Sequence, residues 1–223
     1  KDDIRRELPI RHLDRAKTIE TVHRSLEYLQ TEYIDLYLIH SPHSFTGDGR
    51  DVIEVYETLL ELQKEGKIRS VGVSNFGVDH LKTLIEVHRL QTPSVNQMEC
   101  NPFVFDPDLV AYCRKYDIKI EAYGPVYQGD SYRFKGMDEK VSCMEHPLLK
   151  YIGKRHGKNA AQIMLRWSVQ NGFIPITKST KPRRNRENVQ IFDFELSADE
   201  MKLIGMLREG DAARHNWNPM KNV

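Results

Sequence analysis

Residues Ile34 to His43 read IDLYLIHSPH, an almost unbroken apolar run that stops at His40, Ser41 and Pro42. A short run this rich in branched residues suits a strand buried on both faces, as in parallel sheets. Its last residue has two readings. The plain one makes His40 a polar residue closing a core strand, and the other has it facing a site. The elements on either side of the run bear on that choice.

Upstream, Leu13, Ala16, Ile19, Val22, Leu26 and Leu29 recur at helical spacing with charges between them. Downstream, Asp51 to Lys64 is again helical, with Gly66 as its stop. The pattern then repeats: a strand IRSVGVSNF ending at Ser74 and Asn75, a helix through VDHLKTLIEVHRL, a strand SVNQME, and a helix from Pro107 to Tyr116. IKIEAYGP is the next strand, broken by Gly124 and Pro125, and two helical stretches cover about 147–169. FIPITKS is the last strand, and helices open near Pro182 and at the capping-box pattern SADE, Ser197 to Glu200. The connection at about 127–146 is too long for a simple turn, which marks it as a candidate functional loop.

About five βα units alternate in this way, which predicts an α/β fold on a parallel sheet. No GxGxxG follows the first strand, so a dinucleotide-binding doubly wound sheet has no fingerprint here. The other arrangement is a (β/α)8 barrel, which places its site at the C-terminal strand ends. Each strand closes on polar residues: His40; Ser74 and Asn75; Gln97 and Glu99; Tyr123; Lys178 and Ser179. In a barrel these converge on one face, which favours the site reading of His40. A single domain over 1–223 is expected, with a tail at about 208–223.

Bulk numbers exclude several classes of function. Lys plus Arg is 33 against Asp plus Glu 32, so no net field favours nucleic acid or an anionic membrane. No apolar stretch approaches the roughly 18 residues that span a bilayer. KDDIRRELPI lacks the apolar core of a signal peptide. Cys100, Cys113 and Cys143 are odd in number and widely spaced, which favours packing roles, a reducing compartment and a cytoplasmic protein. The nine His show no HExxH or closely paired spacing, so no metal site is expected. A monomer is expected unless an open sheet edge is paired.

Taken in order, DLYLIHSP, GKIRSVGVSNF, VNQMECNPF, EAYGP and IPITKSTKPRRNRENVQIFDFELS closely resemble the aldo-keto reductase family, from Ile34 to Met206. The resemblance implies a (β/α)8 TIM-type barrel that moves hydride from NADPH to aldehydes and ketones, without metal or flavin. His40 matches the family's active-site His, which positions and polarises the substrate carbonyl. Ser74, Asn75 and Gln97 match residues that hydrogen-bond the nicotinamide carboxamide. Tyr123 matches the aromatic that stacks on the nicotinamide ring. The alternative for Ser74, Asn75 and Gln97 is simple capping of strand ends.

TKSTKPRRNREN can be weighed on chemistry alone. Its charges could be a solvated helix face. Yet Pro182 opens a helix whose N-terminus favours anions, beside the cation of Lys178, the hydroxyl of Ser179 and the forked donors of Arg184. By resemblance Lys178, Ser179 and Arg184 hold the 2′-phosphate of NADP(H), and Glu187 and Asn188 hold the adenine. Arg183 and Arg186 receive no role.

The pattern breaks upstream. The family's proton donor is a Tyr, helped by a Lys paired with an Asp, on strands before the His strand. Only KDDI and LPI resemble that region, either with Glu7 at roughly the Lys position or with residues lost between Ile4 and Leu8, so the barrel reads as N-terminally incomplete. Tyr28, Tyr33 and Tyr37 sit on a helix face, in a connection and in the core strand, so none stands in for the donor. Ser41 replaces a common Trp, and Gly124 a common Ser. Two main expectations remain: an NADPH-dependent reductase of small carbonyl compounds, or an impaired member that holds NADP(H) or a partner without turnover. A different α/β-barrel enzyme is a third. Trp217 is the one wall residue the tail offers, against the reading of a loosely ordered terminus.

Overall fold

The computed structural model describes residues 14–42, 50–126 and 142–214. Helix and strand alternate: α1 Arg15–Leu29, β1 Ile34–Ile39, α2 Arg50–Lys64, β2 Ile68–Ser74, α3 Val78–Lys82, β3 Val95–Glu99, α4 Pro107–Lys115 and β4 Lys119–Tyr123. There follow α5 Pro147–His156, α6 Ala160–Gln170, β5 Ile174–Ile176, α7 Pro182–Val189 and α8 Ala198–Gly205. The strands stand in one sheet in chain order, β1-β2-β3-β4-β5, and β1 with β2 and β4 with β5 pair in parallel. The expected α/β class and its five βα units are present. Two compact units divide the described residues within β3: one runs through Asn96 and includes residues 115–118, the other holds residues 97–114 and 119–214.

In the first unit, Asp14 caps α1 by accepting from the Lys17 amide at 2.8 Å. The buried face of α1 is Thr18, Val22 and Leu26. Thr18 was not among the apolar positions read from the sequence; its hydroxyl donates to the Asp14 carbonyl at 2.9 Å, which makes burial tolerable. Val55, Tyr56, Leu59 and Leu62 of α2 are buried with Ile68, Val71 and Val73 of β2. Gly72 lets β2 lie close to its neighbours: a Cβ there would meet Leu38 Cδ2 at 2.6 Å and the Val95 carbonyl at 2.8 Å.

Two expectations need correction here. β1 was read as buried on both faces, but Ile39 is its one buried residue, and Asp35 is exposed in an ion pair with Arg69. The reason is position: β1 stands at the end of the strand order, while β2, whose second half is fully buried, lies inside it. The helix read through Leu90 stops at Lys82 and widens into a π-turn over Thr83–Val87, with the His88 amide reaching back five residues to Thr83.

In the second unit, α6 buries an unbroken run from Gln162 to Ser168. Trp167 packs edge-on against Phe173 and tilted against Phe105. β5 is shorter than the strand read to Lys178 and Ser179. Its partner β4 ends at Tyr123, opposite Ile176, and Gly124 then turns away in the left-handed region at φ +59°. Past Ile176 the ladder has no continuation, and Ser179 instead bonds the backbone of Lys181 in a turn.

The tail expected from residue 208 is tied down as far as Arg214. Arg208 Nε donates to the Phe105 carbonyl at 2.7 Å, and the Glu209 and Gly210 amides both donate to the Phe103 carbonyl. Glu7 and Trp217, and most of the long connection at 127–146, lie outside the described residues.

Candidate functional site

His40 sits one residue past β1 and is exposed. Its carbonyl accepts from Asn75 Nδ2 at 3.0 Å, and the same nitrogen donates to Ser74 Oγ at 3.1 Å. Asn75 holds φ +62°, a left-handed conformation that Asn tolerates better than most residues. The structure thus brings His40, Ser74 and Asn75 together at the ends of β1 and β2. The capping role weighed for Asn75 is real.

Sequence reading missed the residue behind this turn. Asn96 is fully buried in β3, donates to the Phe76 carbonyl at 2.8 Å and accepts from the Phe76 amide at 3.4 Å. Its side chain substitutes for a neighbouring strand just after Asn75. Nothing local in VNQME distinguishes Asn96 from its polar neighbour Gln97, because its partner lies twenty residues upstream.

In the second unit, Gln97 donates to Glu121 Oε2 at 2.7 Å. Tyr123 ends β4, one residue before the Gly124 turn. Burial pushes its hydroxyl pKa up and the Glu99 carboxylate adds to this, against Arg214 and a hydrogen bond from the Glu99 backbone. Asn101, also fully buried, accepts from the Phe103 and Val104 amides at 3.0 Å and donates to the Gly124 carbonyl at 3.1 Å. It fixes the turn after Tyr123 and was not singled out in the sequence.

A cleft of about 790 Å³ in this unit is lined by Lys178, Ser179, Arg184, Glu187 and Asn188. These are all five residues that the family resemblance assigns to the 2′-phosphate and adenine. Lys181 caps α7, with Pro182 at its first position, so the free amides of the first turn open beside these side chains. Arg183, given no role by the sequence, pairs with Glu187 at 2.6 Å across one turn. Asn188 Nδ2 donates to Thr177 Oγ1 at 3.4 Å. Cys143 also lines the cleft, but its thiol donates to the Val126 carbonyl and burial pushes its pKa up to about 11, so it is no nucleophile at neutral pH.

The donor set fits a phosphorylated nucleotide: a cation, a hydroxyl, a guanidinium and the start of a helix line the same cleft. Among the described residues, no three His, Cys, Asp or Glu side chains cluster as metal ligands. No described helix is long and apolar enough to cross a membrane.

A parallel α/β sheet with polar strand ends defines a broad class of enzymes, and comparison narrows it. Residues 9–209 match the Aldo/keto reductase family, and the chain belongs to that family. It is 38% identical over 200 residues to glyoxal reductase of Bacillus subtilis, which covers 89% of this chain and 66% of that protein. It is 34% identical to the NADPH-dependent alpha-keto amide reductase of Saccharomyces cerevisiae, over 88% of this chain and 62% of the yeast protein. The chain therefore spans somewhat under two thirds of the length of these curated relatives.

Among solved structures, the aldo-keto reductase MGS-M4 from a deep-sea metagenome superimposes with TM-score 0.80 at 32% identity, over 96% of this chain and 74% of the other. The Bombyx mori aldo-keto reductase in complex with NADP gives TM-score 0.77 at 30% identity, over 89% and 66%.

Proposed function

We propose that this chain carries the NADP(H)-binding and carbonyl-orienting residues of a reductase that converts small aldehydes or ketones to alcohols. The observation that carries the reading is the convergence of Lys178, Ser179, Arg184, Glu187 and Asn188 on one cleft beside the start of α7. When bound, NADPH supplies the hydride. Lys178, Ser179 and Arg184 hold the 2′-phosphate, and Glu187 and Asn188 face the adenine. Ser74, Asn75 and Gln97 orient the nicotinamide carboxamide, and Tyr123 offers its ring face to the nicotinamide. His40 polarises the substrate carbonyl by donating a hydrogen bond to its oxygen. The relatives named as reductases of glyoxal and of alpha-keto amides support the substrate class.

A second reading keeps the binding and loses the turnover. It is favoured by the tyrosines: among the described residues, each hydroxyl whose acidity departs from the ordinary value departs upward, at Tyr37, Tyr56 and Tyr123, with burial the leading cause. A general acid needs the opposite shift.

Fluorescence titration with NADPH and with NADH, beside absorbance at 340 nm with a reactive aromatic aldehyde, separates the readings. Tight NADPH binding, weakened about tenfold or more in Arg184→Met while NADH binding holds, supports the cofactor assignment. Binding with turnover supports the reductase, and binding without turnover the second reading. A chain that binds neither nucleotide sinks both.

A further inference from the structure

Helix α7 carries Arg184, Glu187 and Asn188, yet it has no buried residue. Eight residues are too few for a helix to persist alone, and α7 offers no buried apolar face to dock it. Something else must fix where it lies.

Four long polar side chains spaced four apart supply the hold. Lys158 precedes α6, and Gln162, Arg166 and Gln170 follow it along one face. Each reaches the chain segment that ends α7 and leads to α8. Gln162 Nε2 donates to the Glu187 carbonyl at 3.1 Å and the Gln190 carbonyl at 3.0 Å. Lys158 Nζ donates to the Gln190 carbonyl at 3.2 Å and to both Asp193 carboxylate oxygens at 2.7 and 2.6 Å. Arg166 Nη1 donates to the Ile191 carbonyl at 3.1 Å, and Gln170 exchanges two bonds with the Leu196 backbone. The Glu187 carbonyl, which also accepts from the Gln190 amide at 3.1 Å, and the carbonyls of Gln190 and Ile191 just past the helix thereby gain side-chain donors.

We infer that Lys158 and Gln162 are positioning residues for the adenosine-phosphate end of the cofactor. They hold the last turn of α7, and through it the residues lining the cleft, in the geometry that grips the 2′-phosphate. The inference rests on the cofactor reading above. Neither side chain lines this cleft, so each acts through α7.

The test uses two variants and one rescue. Gln162→Glu keeps the acceptor that caps the Asn159 amide, 3.1 Å away, but loses both donor bonds to α7. Lys158→Met removes the cation, and Lys158→Arg restores donors. Affinity for 2′,5′-ADP and for NADPH is measured at a temperature where circular dichroism shows all chains folded, with hydrogen exchange followed by mass spectrometry. Gln162→Glu and Lys158→Met are expected to weaken both ligands by about tenfold, the range of a lost hydrogen-bond set with a charge. Exchange should rise in residues 182–196 and not in α6, and Lys158→Arg should recover most of the affinity. If the unaltered chain binds and both variants bind equally well, the inference fails while the cofactor reading stands. Faster exchange throughout the chain, without rescue by Arg, makes the two residues merely structural and overturns it. An unaltered chain that binds neither ligand removes the cofactor reading and this inference together.

Discussion

Arg214 Nη1 lies 3.4 Å from Glu99 Oε2, and the two side chains are 6% and 3% exposed. The pair joins the end of β3 to the segment after α8, beside the hydroxyl of Tyr123. Removing Arg214 takes a countercharge from a carboxylate held away from water. Arg214→Met is expected to destabilise the chain by about 3 kcal/mol, and the double variant Glu99→Gln, Arg214→Met by clearly less. Urea unfolding of the two proteins checks this; equal losses would mean that the charge of Glu99 is not what Arg214 compensates.

Asn75 combines a left-handed backbone with two side-chain bonds. Asn75→Ala loses both and keeps the strain; Asn75→Gly loses the bonds but relieves the backbone. Ala should therefore be worse than Gly by about 1 kcal/mol in thermal unfolding. Both should weaken NADPH, since His40 and Ser74 lose their tie.

Gly72 and Gly124 should respond differently to alanine. At Gly124 the nearest atom to a new Cβ is Glu99 Cγ at 3.8 Å, so the cost is the φ of +59° alone, about 1 kcal/mol. At Gly72 the Cβ would drive into the Val95 backbone at 2.8 Å. A loss of about 3 kcal/mol or more is expected, since backbone cannot swing aside as a side chain can. Chemical denaturation of both variants ranks them.

Glu200 supplies a pH dependence. Burial raises its pKa, but bonds from the Ser197 backbone and from His156 outweigh this, and the net shift is downward from 4.5. A carboxyl more acidic when folded stabilises fully above its unfolded value and loses that contribution as pH falls through the folded one. Melting temperature of the unaltered chain should thus fall more steeply below pH 4.5 than that of Glu200→Gln. Parallel curves would show that the Glu200 charge contributes nothing. Gln retains an acceptor for the Ser197 amide, so the cap on α8 is preserved in the comparison.

Strand and helix alternation was legible because it rests on periodicity, and the polar strand ends could be listed because each follows an apolar run. The five cleft residues could be named because they fall in one nearly contiguous stretch that the family resemblance covers. What escaped depends on distant partners. Asn96 and Asn101 read as ordinary polar residues until the backbone they serve is in place, and Glu99, listed as a polar strand end, gave no sign of its arginine partner. The depth of β1 and the length of β5 depend on which strands flank them, and no local pattern encodes that. The stripe of Lys158, Gln162, Arg166 and Gln170 was not singled out, because nothing in α6 announces that main-chain carbonyls of another segment will meet it.

That stripe has a consequence for how the chain can vary. Its grip falls mostly on carbonyl oxygens, which every amino acid possesses, rather than on the side chains of the gripped segment. The location of α7 is therefore uncoupled from the chemistry it displays. Residues 183–188 can be exchanged while the scaffold beneath them keeps its register. Inserting or deleting a single residue between Glu187 and Leu196 would slide the carbonyls past their donors and undo the arrangement at once.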